Sequence, residues 1–438
     1  RRPDAMPNFF RNLFRFHKSS EEPTATRSEP RQAASHQSST PTSTSSSASQ
    51  SSFDSSASTR SLQEKKREMA EKNRVEQKAL DVRNDSNVEL LLEDLHWHSG
   101  GVFSNVYKGT LLSPMKMEVA VKKTWPKKTV RSDELIILVA MQRARPKNII
   151  KLLYKFTNYS TDGVMCEAFV FAYMPSTLDQ VIRAGLDMTD IKIYAWQLFN
   201  GLNFLATNRI AHRDIKPVNI LVDQVTGELQ IGDFGSAKII RHGTRSTAYQ
   251  VTRYYRPPEM LLGSREYTHL IDVWSGGCII GEMIKGRVLF RGDDSEHQMS
   301  LIIQAIGPPS DADLLMMRVK QGEKNIPNVT HKGIQYSLKL RDSDGRLPAR
   351  LGGARLLQSA VELLEEVLLY SPGQRLTGPA FLQHHFFTDI MTQDAKRSNG
   401  QTTVDIVQPQ SVETLSAFPL GRCSSLTRVN EDTQPGPV

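Results

Sequence analysis

The chain has 438 residues, of which 23% are charged, 39% hydrophobic and 7% aromatic, and its formal net charge is +8. Its longest apolar stretches, around 164–174 and 270–284, are too short or carry carboxylates, whereas a transmembrane helix needs about 20 apolar residues. Three widely spaced cysteines, Cys166, Cys278 and Cys423, form neither a disulfide framework nor a four-ligand zinc site. A reducing compartment, cytosol or nucleus, is therefore predicted.

Composition divides the chain into three parts. Residues 1–87 start with a Ser/Thr-rich stretch, which is predicted to be disordered because it cannot bury enough apolar surface. They end in a charged segment, 62–80, which is predicted to be a solvated helix or linker. Residues 88–387 are predicted to be globular. Residues 388–438 lose all periodicity and are predicted to form a disordered tail.

The predicted elements of the globular part are mostly strands first and helices later. In chain order they are strands at 103–108 and 119–123, a helix near 133–141, strands at 151–156 and 168–173, and helices at 191–205, 272–284 and 359–369. This order predicts the α+β class, with a β-rich small lobe followed by an α-rich large lobe.

A lysine and a glutamate in the small lobe form the first candidate constellation. Lys122 ends a Val-Ala-Val strand, and Glu134 opens an apolar helix twelve residues later. A strand lysine held by a helix glutamate is the ion pair that positions nucleotide phosphates in phosphoryl transfer. Alone the pattern is weak, because a lysine at a strand end is often simply solvated.

One segment, 212–219, carries the densest chemistry of the chain. Asp214 can take a proton from a hydroxyl, Lys216 can neutralise a transferring phosphoryl group, and Asn219 can ligate Mg²⁺. Asp233 follows nineteen residues after Asp214 in an Asp-Phe-Gly motif, where a carboxylate can hold a phosphate-bridging metal. A short hairpin with a Thr-Gly turn would bring Asn219 and Asp233 to one side. Four such matches in this order predict a protein kinase.

Residues 88–387 resemble the eukaryotic protein-kinase domain, and Lys216 in His-Arg-Asp-Ile-Lys-Pro is typical of its serine/threonine type. Within that class, 233–238 (DFGSAK), 249–259 (YQVTRYYRPPE) and 267–275 are similar to the glycogen synthase kinase-3 (shaggy) family of the CMGC group. Ser-Ala-Lys is the most discriminating feature, because the related cyclin-dependent and mitogen-activated kinases usually carry Leu-Ala-Arg there. The resemblance implies a two-lobed kinase fold and transfer of the ATP γ-phosphoryl group to Ser or Thr of protein substrates.

The resemblance also implies ATP and Mg²⁺ as cofactors and a role for each matching residue. The implied catalytic residues are Asp214 and Lys216, the metal ligands are Asn219 and Asp233, and the nucleotide-binding residues are Ser99, Gly100, Gly101, Phe103, Ser104, Val106, Ala120, Lys122, Glu134, Phe171, Tyr173 and Met174. Phe171 would guard the back of the pocket, and the hinge 172–174 would hold the adenine through its backbone. Glu259 and Arg375 are implied to form a buried structural ion pair.

The implied activation segment carries Tyr249 at the position of an activating phosphotyrosine. Arg253 and Arg256 follow at four and seven positions, so they are placed to pair with a phosphate there. Phosphorylation of Tyr249 by the kinase itself is predicted, and an unmodified packing tyrosine is the alternative.

The family prefers substrates already phosphorylated four residues C-terminal to the target, and three cations recognise that phosphate. Arg213 and Lys238 match two of these positions, but Asp133 stands at the third. At about 4 Å and an effective dielectric of about 20, one charge is worth about 4 kcal/mol before screening. A weak preference for primed substrates is therefore predicted, unless Arg131 or Lys128 reaches into the pocket instead.

The phosphate-covering loop departs from the family pattern of three spaced glycines. Within 99–106, Gly101 alone is in place, and Gly100 lies one position off. Ser99 and Ser104 take the outer positions, where a side chain restricts close approach of the backbone to phosphates. A catalytically weak pseudokinase or scaffold is the alternative function. Every charged group that does chemistry is present, so an active kinase is favoured.

The resemblance implies that the partners of this chain are protein substrates. No motif beyond charge supports a nucleic-acid partner. Near the N-terminus, 9–18 alternates aromatic and basic residues, and a disordered arm is favoured there over a membrane-surface helix. The resemblance weakens after Pro308, so the scaffold-docking surface of the family cannot be transferred and scaffold partners on the large lobe stay open.

Overall fold

A computed structural model of the chain describes most of its central part. The described residues are 73–100, 104–125, 133–144, 146–159, 165–240, 252–319, 326–340 and 344–408. They form a β-rich small lobe and an α-rich large lobe, as the α+β prediction requires. One hydrophobic core fills the small lobe, and a second core runs through the large lobe and extends to Leu138 and Phe171 of the small lobe. None of the described helices is long and apolar enough to cross a membrane.

The small lobe is a closed barrel of six antiparallel strands. The strands are β1 (Val75–Asp81), β2 (Ser86–Gly100), β3 (Ser104–Ser113), β4 (Met117–Thr124), β5 (Leu152–Tyr159) and β6 (Met165–Ala172), and α1 (Asp133–Ala144) follows β4. Around the barrel their order is β1-β2-β3-β4-β6-β5. Because side chains alternate along a strand, Val119 and Val121 are buried in the barrel core while Lys122 lies on the opposite face of β4.

Strand β1 lies in the part predicted to be an N-terminal tail. It pairs with β2 along its length and with β5 at its end, so it closes the barrel. Val75 and Ala79 are buried, whereas Glu76 and Lys78 between them are exposed. Only these few small apolar residues mark the strand, which explains why the charge pattern favoured a helix. The predicted domain boundary at residue 88 is therefore wrong. The prediction of a helical linker is also wrong from residue 75 onward, and the earlier part of that linker lies outside the described residues.

The large lobe is built around two almost fully buried helices. Its helices are α2 (Leu178–Ala184), α3 (Met188–Thr207), α4 (Pro258–Leu261), α5 (Leu270–Lys285), α6 (Ser295–Ile306), α7 (Asp311–Met316), α8 (Ile334–Leu338), α9 (Ala354–Val367) and α10 (Gly378–Leu382), and its short strands are β7 (Ser176–Thr177), β8 (Ile210–Ala211), β9 (Ile220–Asp223), β10 (Glu228–Ile231) and β11 (Lys238–Ile239). Helices α3 and α5 carry Trp196 and Trp274 into the core. Both helices are apolar on nearly all sides, as a central helix must be.

Residues 388–408, here called the C-terminal strap, lie on the large lobe. Two ion pairs hold the strap on α3: Asp389 lies 2.7 Å from Lys192 Nζ, and Arg397 Nε lies 2.8 Å from Asp190. The prediction of a disordered tail is therefore wrong for these residues, and the rest of that tail lies outside the described residues. Periodicity could not reveal the strap, because individual side chains rather than a repeating apolar face hold it in place.

Candidate active site

A cavity of about 340 Å³ lies between the two lobes. Every described residue of the predicted nucleotide and metal sets lines it, namely Ser99, Gly100, Ser104, Val106, Ala120, Lys122, Glu134, Phe171, Tyr173, Met174, Asn219 and Asp233. Sequence reasoning missed other lining residues, namely His98, Leu138, Ile150, Thr177, Val218, Leu221 and Gly232. Apart from His98 and Thr177 these residues are aliphatic or glycine, and such residues carry no chemical motif that would mark them.

Lys122 joins two carboxylates from different parts of the chain. Its Nζ lies 2.6 Å from Glu134 Oε1 on α1 and 2.8 Å from Asp233 Oδ1, which follows β10. Burial alone would lower the pKa of Lys122, but the two carboxylates together raise it above its ordinary value. Burial likewise works against ionisation of Asp233, yet Lys122 holds the pKa of that carboxyl below its usual range. Lys122 and Asp233 are therefore held in their charged forms, whereas burial raises the pKa of Glu134 in spite of its pairing with Lys122.

A buried carboxylate on α5 fixes the backbone at the start of the segment 212–219. Asp272 accepts hydrogen bonds from the backbone N–H groups of His212 at 2.7 Å and Arg213 at 2.9 Å. Complete burial raises the pKa of Asp272 to about 7 in spite of these two bonds. His212 is itself buried and packs edge-on against Phe234, with ring centroids 4.8 Å apart. The backbone that presents Asp214 is thus anchored in the core of the large lobe.

The carboxylate of Asp214 is held by three side chains. Asn219 Nδ2 donates to its Oδ2 at 3.0 Å, and Lys216 Nζ lies 2.7 Å from the same oxygen. Thr252 Oγ1 donates to Oδ1 at 3.0 Å, and Lys216 Nζ donates in turn to Thr252 Oγ1 at 3.3 Å. Thr252 is a site residue that sequence reasoning did not single out, since only the fold brings it beside Asp214.

Asn219 and Asp233 meet as the hairpin argument predicts. Strands β9 and β10 pair with Ile220 opposite Ile231, and the N–H of Gly232 donates to Asn219 O at 2.8 Å. Asn219 Nδ2 is bonded to Asp214, which leaves its carbonyl oxygen as the atom for a ligand. One amide oxygen and one ionised carboxylate are hard donors that suit Mg²⁺, which usually takes few protein ligands together with substrate phosphates. The residues present therefore fit this metal.

The buried ion pair implied by the resemblance is formed. Arg375 Nη1 and Nη2 donate to Glu259 Oε1 and Oε2 at 2.9 and 2.6 Å. The side chains are 0% and 3% exposed. Arg375 also donates to the backbone oxygens of Leu270, Leu369 and Tyr370, so its guanidinium links α4, α5 and the end of α9.

The two matched residues of the phosphate pocket lie on neighbouring elements. Arg213 has a φ of 66°, and its Nε donates to Ser236 O at 2.6 Å. Lys238 begins β11, where it pairs with Ala211 of β8. The remaining predicted site residues fall outside the described part of the chain, namely Gly101, Phe103, Lys128, Arg131 and Tyr249, and the side chain of Asp133 is likewise not described.

Comparison with known proteins agrees with the geometry of this cleft. The protein kinase domain family matches residues 99–387. The Caenorhabditis elegans protein gskl-1 is 37% identical over 254 residues, covering 56% of this chain and 68% of the relative. Protein kinase gsk3 of Schizosaccharomyces pombe is 31% identical, covering 65% of this chain and 71% of the relative. Glycogen synthase kinase 1 of Pyricularia oryzae is 31% identical, covering 68% and 72%.

The chain therefore belongs to the protein kinase family. Within it, the chain is a divergent serine/threonine protein kinase similar to glycogen synthase kinase-3. Members of the protein kinase family use ATP, typically with Mg²⁺, and act on protein substrates.

His98 offers a direct test of the cavity as a nucleotide site. Its ring lies edge-on to the hinge residue Tyr173, with centroids 6.1 Å apart, at the cavity wall. From this position the ring of His98 is expected to contact the bound nucleotide. An aromatic contact contributes about 0.5–1.5 kcal/mol, so His98→Ala should raise KM for ATP roughly 2- to 10-fold with little change in kcat. His96→Ala is the matched control, because exposed His96 does not line the cavity. Steady-state kinetics in which both variants behave alike would contradict a contact between His98 and the nucleotide.

Proposed function

We propose that this chain is an active enzyme, which binds ATP in the cleft and transfers its γ-phosphoryl group to a Ser or Thr hydroxyl of protein substrates. The observation that carries the proposal is the double pairing of Lys122 with Glu134 and Asp233, at 2.6 and 2.8 Å. Phosphoryl transfer by kinases requires the lysine–glutamate ion pair together with a carboxylate that holds the metal, and this pairing brings both into the cleft. Cytosol or nucleus is the proposed location.

In the proposed mechanism each group has one task. Lys122 positions the nucleotide phosphates. Asn219 and Asp233 would hold Mg²⁺, which would offset negative charge on the phosphates. Asp214 accepts the proton of the substrate hydroxyl. Lys216, 2.7 Å from Asp214, supplies positive charge beside the transferring group.

The competing function is a kinase-like scaffold with weak catalysis, because Ser99 and Ser104 replace outer glycines of the phosphate loop. Two measurements on purified protein separate the two functions. Mg·ATP at 100 times its Kd should add about 2.7 kcal/mol to the free energy of unfolding, which a thermal-shift series detects. Mass spectrometry should then find phosphate on Ser or Thr of peptide substrates. Stabilisation without transfer supports the scaffold, and the absence of both rejects the nucleotide site.

Asp133 allows a test of substrate choice. We expect wild type to gain little in kcat/KM from a phosphoserine four residues beyond the target, because the sequence supplies a carboxylate, not a cation, at the third position of the phosphate pocket, and its charge opposes the phosphate. Asp133→Arg should create a strong preference for the primed peptide. The measurement is kcat/KM for paired peptides with and without the distal phosphate. A large preference in wild type that Asp133→Arg leaves unaltered would contradict this expectation.

A further inference from the structure

The C-terminal strap crosses the turn of the β9–β10 hairpin. Asn399 Nδ2 donates to Val225 O at 3.0 Å, and Gln401 Nε2 donates to Thr226 O at 2.8 Å. Gly227 in the same turn has a φ of +72°, and a Cβ there would lie 3.0 Å from Arg397 Nη1. The outer edge of the turn is therefore covered closely by the strap.

Arg397 is the central contact between strap, turn and helix. Its side chain is 4% exposed, and its Nε donates to Asp190 Oδ1 of α3 at 2.8 Å. Its remaining donors contact the turn, the strap and α3, namely Val225 O at 3.3 Å, Gln224 O at 2.9 Å, Gln401 Oε1 at 3.1 Å and Tyr194 Oη at 3.5 Å. All five N–H groups of the guanidinium therefore have acceptors. A planar donor fork of this kind fixes the relative positions of the groups that it binds.

The opposite end of the same hairpin carries both proposed metal ligands. Asn219 directly precedes β9, and Asp233 follows β10 by two residues. The inner residues of the hairpin, Ile220, Val222 and Ile231 among them, are fully buried. On the inner side α3 also holds the turn, since Gln197 Nε2 donates to Gly227 O at 2.7 Å. The hairpin is thus a short, packed connector between the strap and the metal-binding end of the cleft.

We propose that Arg397 is a positioning residue for phosphoryl transfer: by fixing the hairpin turn, it sets how Asn219 and Asp233 are placed relative to each other. The proposal rests on the proposed function, because it takes these two residues as the Mg²⁺ ligands. The competing role is purely structural, in which the strap stabilises the large lobe and nothing more.

Three changes in the strap separate these roles. Arg397→Lys retains a positive charge, but its single ammonium nitrogen cannot take the three separate positions from which Nε, Nη1 and Nη2 reach Asp190 and the two carbonyls of the turn. The double variant Asn399→Ala, Gln401→Ala removes the two bonds that these side chains make to the turn, together with one acceptor of the guanidinium, and leaves the bonds of Arg397 to Asp190 and to the turn carbonyls. Asp389→Asn is the matched control, because Asp389 pairs with Lys192 of α3 and has no bond to the hairpin.

The experiment measures calorimetric binding of ADP over a Mg²⁺ series, together with the Mg²⁺ dependence of kcat and the melting temperature. We expect Arg397→Lys to raise the Mg²⁺ concentration for half-maximal binding measurably but by less than about tenfold, the smallest effect of losing a partner bonded directly to a metal ligand, because Arg397 acts on the ligands through the hairpin. The double variant should shift it in the same direction. Asp389→Asn should lower the melting temperature without changing the Mg²⁺ dependence.

Two outcomes would overturn the proposal, and they differ in what else they reject. If wild type shows Mg²⁺-dependent binding and transfer, and both strap variants match the Mg²⁺ dependence of Asp389→Asn, the strap is only structural and the proposed function stands. If wild type shows no Mg²⁺-dependent nucleotide binding, the proposed function fails together with this inference. Should Arg397→Lys fail to fold, the double variant decides alone, since both of its sites are at the surface.

Discussion

Asp214→Asn should lower kcat about 10²–10⁴-fold while leaving nucleotide affinity nearly unchanged, because an amide cannot take the proton of the substrate hydroxyl. The amide retains one oxygen that can accept from Thr252 or Asn219, so the segment should keep its place. Lys122, Glu134 and Asp233 are untouched by the change. The measurement is steady-state kinetics with a Ser/Thr peptide, combined with thermal stabilisation by Mg·ADP.

Asp179→Asn is the control for this loss. Asp179 pairs with the largely exposed Arg183 on α2 and does not line the described cavity, so kcat of the Asp179→Asn variant should stay within a few-fold of wild type. If Asp214→Asn retained wild-type kcat, Asp214 would not be the base. If it lost nucleotide binding as well, a collapse of the site rather than loss of the base would explain the effect.

Breaking the buried pair of Glu259 and Arg375 should cause the largest loss of stability. Arg375→Met leaves the Glu259 carboxylate, which is 3% exposed, without its partner. Removal of one partner of a buried ion pair lowers the free energy of unfolding by about 3–5 kcal/mol. Lys151→Met is the matched control. Its ion pair with Glu228 has side chains 53% and 42% exposed, and such surface pairs contribute about 0–1 kcal/mol.

Urea titration followed by circular dichroism gives both free energies of unfolding. Equal losses for Arg375→Met and Lys151→Met would show that burial of the Glu259 pair contributes nothing beyond a surface contact. Because the pair joins α4 to the end of α9, we also expect the Arg375→Met transition to begin in the large lobe, which holds Trp196 and Trp274 as fluorescent reporters.

The catalytic groups could be predicted because the residues that carry the chemistry lie close together in the sequence. Asp214 and Asn219 lie five residues apart, and one tight hairpin is enough to bring Asp233 to them. The pairing of Lys122 with Glu134 follows from a strand and the helix after it. Each pattern alone is weak, and their order along the chain, together with the family resemblance, makes the set specific.

The parts that could not be predicted depend on contacts between distant segments. Arg397 bonds to Asp190, 207 residues away, and nothing in the composition around either residue marks the pair. Thr252 reaches Asp214 only because the two chain segments fold against each other. Strand β1 escaped detection for a related reason, since a strand with only two small apolar residues facing the core is hidden among charges.

Transfer of labelled phosphate from γ-labelled ATP to a Ser/Thr peptide tests the central claim most directly. Wild type and Asp214→Asn are assayed side by side with Mg²⁺, and phosphoamino-acid analysis identifies the acceptor. The account predicts label on serine or threonine with wild type and almost none with the variant. Absence of label with wild type that still binds Mg·ATP, or equal label with both proteins, would contradict it.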